Sequence, residues 1–134
     1  MKRKADAVKA GEAFVLKQVV GKYDPIYYAG ASGDFNPIHI DPEFGKMVGL
    51  NGNILQGLCT MAYTARCHTD FAGDVGALKR IKVRFSSPVR PGDSVNVQAT
   101  VATVNGKQVQ TQFNAVNQKG EEVITMAFAE LDLD

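Results

Sequence analysis

The segment Ala13 to Val20, AFVLKQVV, sets Phe14 and Leu16 on one side of the chain and Val15 and Val19 on the other, which predicts a first strand. Asp24-Pro25 is a helix-start signal, an N-cap followed by proline at the first helical position. The helix it opens carries Ile26, Tyr27 and Ala29 and ends between Gly30 and Gly33. From Gly33 to Leu50, Pro37, Pro42 and further glycines predict loop with short helical pieces at most, one of them started by Asp41-Pro42-Glu43. From Gly57 to about Phe71 the period changes. Leu58, Met61, Ala62 and Ala65 recur at i, i+3, i+4 and i+7, which predicts a central helix with these residues on one apolar face. Its many small residues let it lie close to a packing partner.

From Leu78 onward the period is two. Ile81, Val83 and Phe85 alternate with Arg80, Lys82 and Arg84; Val95, Val97, Ala99 and Val101 alternate with polar residues until the phase slips near Ala102, as at a bulge. Asn105-Gly106 signals a hairpin. Val109, Thr111, Phe113 and Ala115 then face away from Gln108, Gln110, Gln112 and Asn114, and Asn117 to Gly120 turns the chain again. The last strand, Glu122 to Leu131, is largely apolar on both faces, which predicts cover on both sides or a subunit contact. Strand, helix, loop, helix and four antiparallel strands predict an α+β fold in which an antiparallel sheet wraps a helix.

Composition narrows the function classes. The chain has 134 residues, which is the size of a single domain spanning residues 1–134. With 45% hydrophobic and 22% charged residues it is a globular chain. A net charge of +1 argues against a nucleic-acid binder held by phosphate attraction. No apolar run is long enough for a membrane span, the basic start MKRKADAVKAGE lacks the apolar stretch of a secretory signal, and ELDLD carries no lipidation or peroxisomal signal. Cys59 and Cys67 fall on one helix about 12 Å apart, too far to bridge, so two free thiols are expected in a reducing cytoplasm. A chain this short has little interior to spare for a deep cleft, so its pocket is expected to draw on a second subunit, as in a homodimer.

The stretch that carries chemistry is Ser32 to His39, SGDFNPIH. Pro37 disfavours helix and pushes Asn36 to extended geometry, so a rigid turn is expected. Such a turn can aim Asp34 and His39 at one point, and a carboxylate and an imidazole that share a water form a general acid/base pair. The same residues also fit a plain Asx turn and a half-buried histidine without a chemical role. Gln56-Gly57-Leu58 opens the central helix, where unpaired N–H groups and the dipole favour negative charge. Lys79, Arg80, Lys82, Arg84 and Arg90 form a basic run without an intervening acid, fit for a solvated face or for the phosphates of a carrier. The spacing around His68 matches no zinc pattern, and no glycine-rich phosphate loop or G-x-S-x-G occurs, so no metal or cofactor is implied.

Tyr28 to Pro42 (YAGASGDFNPIHIDP), with the core D-x-N-P-x-H, resembles the hydratase motif of the MaoC-like family of (R)-specific enoyl-CoA hydratases and 3-hydroxyacyl dehydratases. The resemblance continues through Gly57 to Met61 and Val83 to Asp93 and covers most of the chain. It implies a hotdog fold, paired into a dimer with active sites near the subunit boundary. Asp34 and His39 match the family's catalytic pair, Asn36 a loop-supporting residue, and Gly57 the glycine whose N–H holds the thioester carbonyl. With Gln56 and Arg84, Asn36 and Gly57 are the candidate substrate-binding residues. Family members commonly carry Pro and His where this chain has Asn53 and Gln56, a difference that tunes the pocket and bears on acyl-chain preference.

The activity implied is reversible hydration of a trans-2-enoyl thioester of CoA or of an acyl carrier protein to the (R)-3-hydroxyacyl product. A hotdog thioesterase and a non-catalytic acyl-thioester-binding subunit of a heteromeric dehydratase are the alternatives. The absence of an acidic residue from Gly57 to Thr69 weighs against the first, and the intact Asp34/His39 pair against the second.

Overall fold

The structure, a computed structural model, describes residues 1–134. Five strands form one antiparallel sheet: β1 (Ala13–Val19), β2 (Leu78–Phe85), β3 (Ser94–Asn105), β4 (Gln108–Val116) and β5 (Glu122–Asp132), in the spatial order β1-β3-β4-β5-β2. Between β1 and β2 run α1 (Asp24–Ser32), α2 (Pro37–Ile40), α3 (Pro42–Met47) and α4 (Gly57–Ala72). The period-two residues behave as their alternation dictates. Val95, Val97, Ala99 and Val101 of β3 and Val109, Thr111, Phe113 and Ala115 of β4 are all buried on the face toward α4. Fully burying an aliphatic side chain of this kind is worth about 1.5–3 kcal/mol, which is what bends the sheet around the helix.

The register slips where the sequence pattern slips, between Val101 and Thr103, leaving Ala102 without a partner. At the hairpin Asn105 pairs with Gln108, so the two loop residues are Gly106 and Lys107. Gly106 has φ +60° at the first loop position, a backbone that glycine adopts at no steric cost. In β5 the register against β4 and β2 jumps near Met126, whose φ is +49°. This bulge buries the adjacent Val123 and Ile124 together and turns Met126 out to solvent. The apolar second face of β5 is thus the product of a bulge, and Phe128 on it lies under the Arg80 guanidinium at 5.2 Å.

Two helical expectations need correction. The first is the start of α1: Tyr23 is the N-cap and Asp24 lies inside the helix, its carboxylate accepting from the Gly21 N–H at 2.7 Å. The second is the face of α4. Leu58 is 63% exposed and the buried residues are Cys59, Thr60, Thr64, Cys67, His68 and Ala72. The sheet therefore covers the side of the helix that carries its small and polar residues. Those polar groups are satisfied internally. Thr64 Oγ1 donates to the Met61 carbonyl, and the fully buried His68 bonds through Nδ1 to the Thr64 carbonyl and through Nε2 to Thr111 Oγ1, both at 2.7 Å. Phe14 and Phe113 meet the His68 ring edge-on.

Candidate active site

The site grows from the end of α1. Gly33 closes that helix with φ +78°, its N–H bonded to the Ala29 carbonyl, and turns the chain out. A relay of short polar bonds then shapes the turn: the Asp34 N–H donates to Ser32 Oγ (3.1 Å), the Asn36 N–H to Asp34 Oδ1 (3.3 Å) and the Ile38 N–H to Asn36 Oδ1 (3.2 Å). Asn36 is extended, with φ −53° and ψ 127°, as a residue before proline should be. Pro37 does not exclude helix, contrary to expectation. It occupies the first position of α2, where its missing N–H has no partner to lose, and Asn36 caps it. His39 is therefore held on one helical turn.

That turn aims the ring. His39 Nδ1 lies 2.9 Å from the Ile54 carbonyl oxygen, which can only accept, so Nδ1 carries the proton and the neutral ring presents its Nε2 lone pair. Nε2 stands 3.6 Å from Asp34 Oδ2. A lone pair and a carboxylate oxygen both lack a proton to share, whereas one water can donate a hydrogen to each and keep its own lone pairs free. His39 is 11% exposed at the side chain and Asp34 47%, so the ring is largely enclosed and the carboxylate faces solvent.

His39 borders a cavity of about 270 Å³, with Leu55, Gly57, Thr60, Phe85 and Val89 among its other walls. Gly57 is the first residue of α4, so its N–H has no acceptor within the helix. An added Cβ there would stand 3.2 Å from the Phe85 ring. The cavity thus meets an imidazole, a bare backbone and the positive end of a 16-residue helix.

Not every candidate converges here. Asn36 braces the turn by capping α2 and does not border the cavity. Gln56 is 1% exposed and turned the other way, donating from Nε2 to the Pro25 carbonyl at 2.9 Å, with Oε1 buried and unpartnered. Arg84 is exposed on β2, its Nη1 3.5 Å from Met126 Sδ, and does not border the cavity. Gly57 thus borders the cavity, and Gln56 and Arg84 do not. Lys79, Arg80 and Lys82 are likewise exposed. Burial pushes the Cys59 thiol up and the Cys67 thiol up to about 11, so both are protonated near neutrality and neither is an activated nucleophile.

Four residues that hold the site escaped the sequence analysis as site residues. Ile54 orients His39, Asn53 donates from Nδ2 to the His39 carbonyl at 2.8 Å, and Thr60 and Phe85 wall the cavity. Phe85 ends β2 three residues before Pro88, a strand end that marks a rim. Thr60 has no such signal, because the pattern of a helix places a threonine on its polar, outer side.

A family model described as "MaoC like domain" matches residues 5–124. Among curated proteins, the peroxisomal multifunctional enzyme type 2 of Mus musculus is 42% identical over 103 residues, 75% of this chain and 13% of its own length. The probable enoyl-CoA hydratase 2 of Dictyostelium discoideum is 37% identical over 86 residues, 63% of this chain and 29% of its own length. The chain thus spans well under a third of these relatives. Among solved structures, the unliganded R-hydratase PhaJ1 from Pseudomonas aeruginosa superposes with a TM-score of 0.90 at 22% identity, over 98% of this chain and 86% of that one. The sheet wrapped around α4 is the hotdog fold that the resemblance implies.

Proposed function

Because the chain belongs to the MaoC-like domain family, we propose that it adds water reversibly to trans-2-enoyl thioesters, of CoA in the first instance, to give (R)-3-hydroxyacyl thioesters. The observation that carries this reading is the 3.6 Å gap between His39 Nε2 and Asp34 Oδ2, with the ring locked by Ile54 beside the cavity that Gly57 borders.

In the reaction, Asp34 and His39 hold one water between them. The thioester carbonyl makes C3 electrophilic. As the water oxygen bonds to C3, Asp34 takes one of its protons and the C2=C3 electron pair moves toward the carbonyl oxygen. The Gly57 N–H and the α4 dipole stabilise that oxyanion, a contribution of about 10²–10³ in rate for one such donor. The proton returns from the Asp34/His39 pair to C2 on the same face, and the pair is regenerated. Positioned acid/base groups of this kind contribute about 10²–10⁴.

The domain works as a homodimer in this reading. Support comes from the open rim, where Asp34, Leu58 and Phe85 are exposed beside a cavity too small to enclose a CoA thioester. The two buried free thiols suit a reducing cytoplasm; a peroxisomal distribution, as the names of several relatives state for those proteins, would overturn that assignment. No helix is long and apolar enough to cross a membrane. Crotonyl-CoA tests the reaction: the expected result is loss of the enoyl absorbance with formation of the (R)-3-hydroxy product on chiral analysis. Release of free thiol with the enoyl band intact would indicate thioester hydrolysis instead, and the (S) product would contradict the stereochemistry.

A further inference from the structure

The segment just before α4 touches α2 by three hydrogen bonds at once. The Ile54 N–H donates to the Ile38 carbonyl (2.9 Å), the Ile54 carbonyl accepts from the His39 ring (2.9 Å), and Asn53 Nδ2 donates to the His39 carbonyl (2.8 Å). The first two are main-chain features available to any residue but proline at position 54. The third exists only because residue 53 carries a side-chain donor. The segment is also backed from behind. Gly45 of α3 is buried, and a Cβ there would collide with the Gly52 carbonyl and stand 3.0 Å from the Asn53 nitrogen. Asn53 is therefore fixed on one side by α3 and reaches α2 on the other.

We infer that Asn53 is a positioning residue for His39: by holding the end of α2 against residues 53–54, it keeps the ring on the Ile54 carbonyl and so keeps the lone pair on the nitrogen that faces Asp34. The inference rests on the hydratase reading above. Its physical content is tautomeric. A free neutral imidazole prefers its proton on Nε2; here the Ile54 carbonyl holds it on Nδ1, and only that form leaves Nε2 able to accept from a water. Loosening α2 lets the ring leave Ile54 and lets the other tautomer in. An aspartate at position 53 would set a carboxylate oxygen against the His39 carbonyl in place of the donor, and an alanine would leave that carbonyl unpaired.

The test compares wild type with Asn53→Asp and Asn53→Ala, by steady-state hydration of crotonyl-CoA and by NMR of the imidazole nitrogens at about pH 8. The chain has two histidines, so the spectrum is simple. His68 is an internal reference, since its Nδ1 is bonded to the Thr64 carbonyl within α4, away from residue 53. The expected result is a fall in kcat of about tenfold with KM changed by less than about twofold, with the Nε2–H form of His39 appearing and His68 unmoved. A His39 ring that stays in the Nδ1–H form in both variants overturns the inference, whatever kcat does. So does a ring that changes while kcat stays within about twofold. If wild type does not hydrate the substrate, the hydratase reading fails, and the ring spectrum alone decides whether Asn53 orients His39.

Discussion

His39 Nε2 and Asp34 Oδ2 face each other at 3.6 Å although their residues belong to different local structures, one on a helical turn and one in the bend before it. What joins them is the turn itself, in which Asp34 accepts from the Asn36 N–H and Asn36 accepts from the Ile38 N–H. Replacing Asn36 by alanine removes the cap of α2 at a cost of about 1 kcal/mol. Because the cap sits between the two reactive groups, kcat is expected to fall more than the loss of stability accounts for, by about tenfold, in assays of the folded variant.

Gly57→Ala tests the cavity wall. The added Cβ would lie 3.2 Å from the Phe85 ring, at the place where, in the proposed reaction, the thioester oxygen meets the helix N-terminus. Alanine is a better helix former than glycine, so thermal stability is expected to hold or rise while kcat/KM falls by about tenfold or more. Pairing it with Phe85→Ala, which gives the methyl group room, is expected to recover part of the loss. Equal loss in single and double variants would place the effect elsewhere.

Burial lowers the pKa of His68 below its ordinary value, with the Thr64 carbonyl opposing that shift only in part. The sign follows from linkage. The unfolded chain takes up a proton near pH 6.5 and the folded chain resists it. The stabilisation is thus complete above that pH and is lost as pH falls toward the folded value. Urea unfolding from about pH 7 down to pH 5 should lose up to about 1.4 kcal/mol per pH unit through this residue. His68→Leu should flatten that slope while lowering stability at pH 7, because Thr111 and the Thr64 carbonyl lose their partner.

Gly45→Ala is expected to be costly although Gly45 lies on a short helix where alanine is otherwise favoured. The new methyl group would collide with the Gly52 carbonyl, which is backbone and has nowhere to go. Overpacking of this kind costs about 1–3 kcal/mol. A fall in melting temperature is the readout, and an unchanged value would mean that the segment 52–54 is not held against α3.

Strand content was readable because β3 and β4 bury alternate residues and β1 alternates half-buried with exposed ones, and the slip at Ala102 showed in the pattern as a change of phase. The D-x-N-P-x-H segment was readable because Pro37 and the Asn36 before it permit few backbones, while Gly33 supplies the left-handed conformation that ends α1. The orientation of α4 was not. Leu58, Met61, Ala62 and Ala65 mark an apolar stripe, yet the buried residues include Thr60, Thr64 and His68; Thr64 Oγ1 donates to the Met61 carbonyl, and the His68 ring bonds to the Thr64 carbonyl and to Thr111. Pattern reading scores a threonine or a histidine as outside and has no access to the partner that satisfies it forty residues away. Asn53 and Ile54 were invisible as supports because their partners, the His39 carbonyl and ring, are tertiary neighbours.

The most direct measurement is hydration of crotonyl-CoA by wild type, Asp34→Asn and His39→Ala, each checked for native circular dichroism. If the two side chains activate one water, wild type turns over and each substitution lowers kcat by at least about 10²-fold with the fold retained. Turnover within about threefold of wild type in both variants would contradict the account.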